Sequence, residues 1–169
     1  RGREGAARDA LGELTDLQHP SDCRGRPLMV HSLGDMSSGW GMGSMLHILA
    51  LALTAAHSVN RTLVLPSNDR WWYADEGCSP KGFGCYFEGL SSCREHDSDD
   101  VISSEAVTIP KTHVPAKYVR HGLMWWRSQV MRLIWRPLPW VRGEVERRMA
   151  AIGWSEEGGD VVAVHVRRG

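Results

Sequence analysis

The chain has 169 residues, and 20 Lys and Arg are balanced by 20 Asp and Glu, so its formal net charge is zero. Charges of both signs are interspersed, which excludes the basic field that nucleic-acid or membrane-surface binding rests on. The longest apolar stretch, Met45 to Val59, is too short to span a bilayer and contains His47 and His57. The length predicts about one domain with enough chain to bury a core.

Arg1 to Gln18 is charged and alanine-rich, and it predicts a short helix that is the tail of an upstream linker or helical segment. Pro27 to Leu33 predicts a first strand. A loop over 34–43 with four glycines follows. Ser44 suits the N-cap of a helix that runs to about Ser58. That helix is apolar nearly all round, as expected of one packed against a sheet. Asn60 ends it, and Arg61 to Pro66 predicts a second strand, giving a βαβ unit with a right-handed crossover. Asn60-Arg61-Thr62 matches the N-glycosylation pattern. Its place beside a core strand favours an unmodified side chain.

Residues 67–104 form a long irregular insert that holds three of the four cysteines. A loop of that length is normally functional or stapled. Ala106 to Pro110 predicts a short strand. Val119 to Trp135 has helical spacing and is stopped by Pro137 and Pro139. Trp140 to Ile152 predicts an amphipathic helix with Val141, Val145, Met149 and Ile152 on one face. Val161 to Val166 then reads as a buried parallel strand that runs into Arg167, Arg168 and Gly169. The eight tryptophans are chiefly core residues by expectation. Trp71, Trp72 and Tyr73 offer rings to line a ligand groove; Trp125 and Trp126, in a helical setting, belong to the core.

Four cysteines suit an oxidising compartment and permit three pairings. The absence of a C-x-x-C spacing and the scattered histidines argue against a zinc site. Gly39, Gly41 and Gly43 sit between a strand and a helix, where backbone amides can approach a phosphate. The loop is not a Walker motif, because no Lys-Ser/Thr follows. It is also a poor dinucleotide fingerprint, since the acidic Asp69 comes several residues late. In the final strand His165 and Arg167 share one face. Arg167 and Arg168 there suit a diphosphate, because guanidinium binds phosphate oxygens bidentately and keeps its charge.

Several blocks in order carry a family resemblance: His19-Pro20-Ser21-Asp22-Cys23, Gly39-Trp40-Gly41-Met42-Gly43, Leu46-His47, Arg61-Thr62-Leu63-Val64-Leu65, Trp125-Trp126-Arg127-Ser128-Gln129, Arg136-Pro137-Leu138-Pro139-Trp140 and His165-Val166-Arg167-Arg168. From about residue 19 to 169 the chain resembles the N-terminal part of the catalytic domain of eukaryotic α-1,6-fucosyltransferases, glycosyltransferase family 23. The resemblance implies an α/β fold, a partial GT-B-like domain with Rossmann-like parallel strands and a disulfide-stapled irregular insert. It implies transfer of L-fucose from GDP-fucose to the core N-acetylglucosamine of N-glycans, without metal or cofactor. Arg167 and Arg168 then become the catalytic phosphate clamp, and Gly39, Gly41, Gly43 and His165 line the donor phosphates. Cys23 pairs with Cys93, which leaves Cys78 with Cys85. A Golgi-lumenal enzyme with a type II anchor upstream is implied, with a homodimer formed through that upstream segment.

Two departures stand out. Trp40 and Ser44 occupy positions where family members carry cysteines. The motif also stops after Arg168, before the family's base and guanine-binding residues. The chain opens on Arg1 rather than Met and stops just past a strand, so both ends read as cut, and the chain alone is expected to be catalytically incomplete. The alternative from another class is a silent lectin-like or scaffold module.

Overall fold

The computed structural model describes residues 2–34 and 40–154. It divides into two compact units, residues 1–136 and 137–169. The first is a mixed α/β unit. Its sheet has three parallel strands, β1 (Leu28–Val30), β2 (Thr62–Val64) and β3 (Val101–Ser103), in the order β2-β1-β3. Met29 lies opposite Leu63 on one side and Ile102 on the other. β1 is thus the central strand, and the chain crosses it between β2 and β3.

The third strand lies earlier than the 106–110 segment that β-branched content favours. Val107 and Ile109 pack on the core without joining the ladder. The Leu28 amide instead donates to the Asp100 carbonyl at 2.8 Å, which sets the register just before β3. Arg61 locks the same end of the sheet. Its guanidinium donates to the Leu28 and Asp100 carbonyls and pairs with the Asp100 carboxylate at 2.8 Å.

Between β1 and β2 runs α2 (Met42–Ser58), which buries Met45, Leu46, Leu49 and Leu53 together with small residues that allow close approach. It begins two residues before the expected Ser44 cap. The Ser44 and Met45 amides both donate to the Gly41 carbonyl, so Gly41 is the N-cap and Ser44 is an exposed first-turn residue. The expected helix over 119–135 is interrupted. Gly122, at φ 82°, separates a 3-10 turn over Ala116–His121 from α3 (Leu123–Ile134). That left-handed φ stops the helix from running through. Trp126 is fully buried, stacks on Tyr118 and donates from its indole to Thr54 Oγ1 at 3.3 Å. Trp71 is also core, ringed by Tyr73, Phe83, Tyr86 and Phe87, whereas Trp72 is 69% exposed.

Residues 3–18, expected as a linker or the end of a helical segment, form α1 (Arg3–Gln18). Ala6, Ala10, Leu14 and Leu17 make one buried face against α3 and β2. At its end Gln18 is fully buried. In a parallel strand alternate residues point their amide and carbonyl to opposite sides, and Leu63 points both outward from β2. The Gln18 carboxamide meets them as a fourth strand would: Nε2 donates to the Leu63 carbonyl at 2.8 Å and Oε1 accepts from the Leu63 amide at 2.8 Å. The adjacent Thr62 hydroxyl donates to the Leu17 carbonyl at 2.6 Å. The sheet edge is therefore closed by a side chain.

The insert is stapled by Cys23–Cys93 and Cys78–Cys85, the pairing implied by the resemblance, and no described cysteine is free. His19 and Arg136, from two separate resemblance blocks, meet at 3.2 Å, and Arg136 also donates to the Gly89 carbonyl. In the second unit α4 (Pro139–Ala151) opens with proline at its first position, a favoured start. Its expected apolar face is not buried among the described residues, with Val145 and Ile152 exposed.

Two consequences are measurable. Gln18→Leu keeps the volume but strands the Leu63 amide and carbonyl, and it should cost on the order of 2–4 kcal/mol in urea denaturation. Burial lowers the pKa of His57 most, outweighing Glu13, which raises it; His113 lowers it further. His19 is lowered by burial first and then by Arg136. Both histidines are thus held neutral, so the unfolded chain takes up protons first. Stability should be full above the unfolded histidine value of about 6.5 and should fall as pH drops below it. Between pH 7.5 and 5.5, His57→Gln should show a shallower loss than wild type.

Candidate active site cleft

The C-terminal ends of β1 and β3 open into a cleft of about 730 Å³, with Ile48, Leu51 and Ala52 of α2 on one wall. The chain reverses its strand order at β1, so this is the switch point where open α/β sheets place ligands. The opposite wall carries His31 and Ser32 after β1 and Ser103, Ser104 and Glu105 around the end of β3. His31 Nδ1 and Ser104 Oγ lie 2.9 Å apart and join the two strand ends.

The turn after β1 is held by one carboxylate. Asp69 accepts from the Ser32 hydroxyl at 2.8 Å and from the Leu33 and Gly34 amides, each at 2.7 Å. A Cβ on Gly34 would stand 2.7 Å from Asp69 Oδ1 and 3.0 Å from the Arg70 carbonyl, so the glycine is there for close approach. Asp69 is thus a structural clamp, which explains why it comes too late for a ribose ligand. Its role leaves no signature in local spacing, because its partners lie more than thirty residues away.

The start of α2 faces this region. Gly41 has φ −65° and ψ 151°, with no side chain capping the helix. Nothing lies within 4 Å of a Cβ built on Gly41 or Gly43. Gly41 and Gly43 therefore bring no side chain to the positive end of a seventeen-residue helix. Trp40, 48% exposed, lines the cleft just before this N-terminus. Its carbonyl accepts from Tyr73 Oη at 2.8 Å, and the Tyr73 carbonyl accepts from Tyr86 Oη at 2.8 Å. The insert thereby braces Trp40 just before the helix. Behind the cleft Arg127 approaches His47 Nδ1 to 3.3 Å and donates to the Lys111 carbonyl, joining α3, α2 and the cleft wall. Burial lowers the basicity of Arg127 from its ordinary value, yet a guanidinium in that range stays charged.

Of the residues expected to hold the donor, Gly41 and Gly43 lie at this helix start. Gly39, His165, Arg167 and Arg168 lie outside the described residues. Trp125 and Trp126 are buried away from it. Among the described residues no group of three His, Cys, Asp or Glu side chains is disposed to hold a metal ion. What sequence reasoning missed is the His31–Ser104 bridge and the tyrosine brace. A histidine inside the apolar run Pro27 to Leu33 was the one available hint.

The chain is 27% identical to an α-(1,6)-fucosyltransferase of Drosophila melanogaster. The alignment takes in 92% of this chain and 27% of that protein. The chain thus spans about a quarter of the length of this relative. No family model matches. The likeness is distant, and it points to a fucosyltransferase-type glycosyltransferase. Two pairs drawn from separate resemblance blocks, His19 with Arg136 and His47 with Arg127, are in contact, so the shared residues partly record structural joints.

The clamp yields a double-mutant test. Gly34→Ala should cost about 1–3 kcal/mol by overpacking against Asp69 and Arg70. Asp69→Ala alone should also destabilise, by loss of its three bonds. The double variant should lose less than the sum, because the first clash disappears with the carboxylate. Strict additivity in urea denaturation would show that Gly34 and Asp69 do not act together.

Proposed function

We propose that this chain is part of a glycosyltransferase that moves L-fucose from GDP-fucose to the 6-hydroxyl of the innermost N-acetylglucosamine of N-glycans. The likeness to the Drosophila enzyme carries the reading; it runs through 92% of the chain and so takes in most of the elements that build the cleft. In this reading the donor diphosphate lies against the amides of Gly41 and Gly43, with Gly39 completing the loop. Arg167 and Arg168 are assigned the charge of the departing diphosphate by residue type, together with His165.

The chemistry needs such donors. As the bond from fucose C1 to the diphosphate lengthens, negative charge builds on the departing GDP. Cations and amides aimed at that charge stabilise the transition state more than the ground state. A base takes the proton of the acceptor hydroxyl, which attacks C1 from the opposite face and inverts it. Trp40 offers a half-exposed aromatic face at the cleft for a sugar or base to stack on. No metal or cofactor has a role in this scheme. The enzyme would work in the Golgi lumen, anchored by a segment upstream and dimerised through it. Among the described residues no helix is long and apolar enough to cross a membrane.

The test is fucose transfer by the protein that carries this chain, read by mass spectrometry of a defined N-glycan acceptor. Arg167→Ala should lower kcat by about 10²–10³-fold, as loss of a transition-state donor does. Near-wild-type turnover would remove Arg167 from the site. A wild-type protein that binds N-glycan but transfers nothing would be a silent lectin-like module instead.

A further inference from the structure

We propose that Asn60 carries an N-linked glycan. The sequence holds two asparagines, and only Asn60 starts an Asn-x-Thr pattern, with Arg61 rather than proline between. Placement beside a core strand argued against modification at the level of sequence. The structure separates the two ends of the pattern: Asn60 is exposed, whereas Thr62 is buried in β2.

Asn60 lies in the turn between α2 and β2 and is exposed. Its φ of 53° is left-handed, a conformation in which asparagine is tolerated and glycine is the usual choice. Its backbone amide donates to the His57 carbonyl at 3.2 Å. Its carboxamide makes no hydrogen bond among the described residues. Backbone shape accounts for the turn, and the side-chain amide is left over.

Thr62 presents the opposite case. It is fully buried, donating to the Leu17 carbonyl and accepting from Arg26 Nε at 3.2 Å. In the folded protein no transferase reaches that hydroxyl, so the modification has to precede folding. The topology leaves time for it. Thr62 is covered by α1, and α1 docks against α3, which is made some sixty residues after Thr62. The Cys23–Cys93 bond likewise closes only after Cys93 has been made. Until then the elements that bury Thr62 are not all in place.

The folded molecule also has room for the product. Asn60 lies on the rim of an open hollow of about 710 Å³ whose walls include Glu13, Asp16, Arg26 and His57, polar partners for a first sugar. This hollow is at the opposite end of β2 from the cleft. Pro66, which lines the cleft, is six residues on, or about 20 Å of extended chain. A glycan on Asn60 therefore leaves the donor and acceptor path clear. In the step itself the Asn60 carboxamide nitrogen loses one proton and bonds to C1 of an N-acetylglucosamine. The lipid-linked diphosphate that held that sugar departs.

The inference rests on the secretory setting implied by the fucosyltransferase reading. The experiment separates the two. The protein is expressed through the secretory route of eukaryotic cells and treated with peptide-N-glycosidase, and the peptide containing residue 60 is mapped without reduction. The expected result is a mobility shift on digestion, conversion of Asn60 to Asp, and loss of both in Asn60→Gly. That variant keeps the left-handed turn, and its denaturation midpoint should stay close to that of the deglycosylated wild type. Thr62→Ser should retain the glycan. Unmodified Asn60 in protein whose Cys23–Cys93 bond has formed and which transfers fucose would overturn the glycan and leave the enzyme reading intact. Free thiols, no transfer and no glycan together would overturn both.

Discussion

The structure depends first on the closure of one sheet edge by one buried carboxamide. A parallel sheet of three short strands has little ladder to hold it together, and β2 lies at its outer margin. An open edge there would leave the Leu63 amide and carbonyl without partners in a dry interior. Gln18 supplies both partners. Because its own carbonyl accepts from the Ser91 hydroxyl and the Ser92 amide, the same residue anchors the insert two residues before Cys93. Helix, edge strand and insert meet at a single side chain. The disulfide from Cys23 adds a covalent bond where that junction already exists.

With that edge closed, the geometry of the cleft follows from braces that each join distant parts of the chain. Arg61 fixes the N-terminal ends of the strands through Leu28 and Asp100. At the other end Asp69 holds the turn after β1 and His31 joins β1 to β3. The start of α2 is held from behind by the Tyr86–Tyr73–Trp40 sequence of bonds, not by a cap or a cysteine pair. The helix N-terminus is thereby left without a side-chain cap.

The elements that were legible in the sequence are those with their signal in a local period. The strand at 28–30, the crossover helix to Ser58 and the strand at 62–64 follow from apolar runs and the breaks between them. Features set by remote partners were not legible. β3 is mostly exposed, with only Ile102 partly buried, so its bonds to β1 identify it. The face of α1 is partly alanine, which reads as a solvent helix until α3 is seen against it. Gly122 stops a helix by conformation, and nothing in the apolar spacing around it announces that. For the site, the glycines at 41 and 43 lie at the start of α2. Asp69 was weighed only for a nucleotide role, because its true partners are three groups after β1.

The relative strengths of these groups suggest how the work of the site is divided. The first turn of α2 offers amides and a partial charge, and an exposed helix N-terminus contributes about 0.3–1 kcal/mol toward an anion. A donor aimed at charge that develops during reaction contributes roughly 2.7–4 kcal/mol when it is well placed. The open helix end is therefore suited to positioning a diphosphate, acting alike on ground state and transition state, and so mainly to affinity. Rate acceleration must come from groups whose contact strengthens as GDP departs, and in the proposed scheme those are Arg167 and Arg168. The braces around α2 make sense on this division. Binding that is nearly uniform contributes to catalysis only if it holds a ligand in one orientation, which requires a helix start that does not move with its ligand.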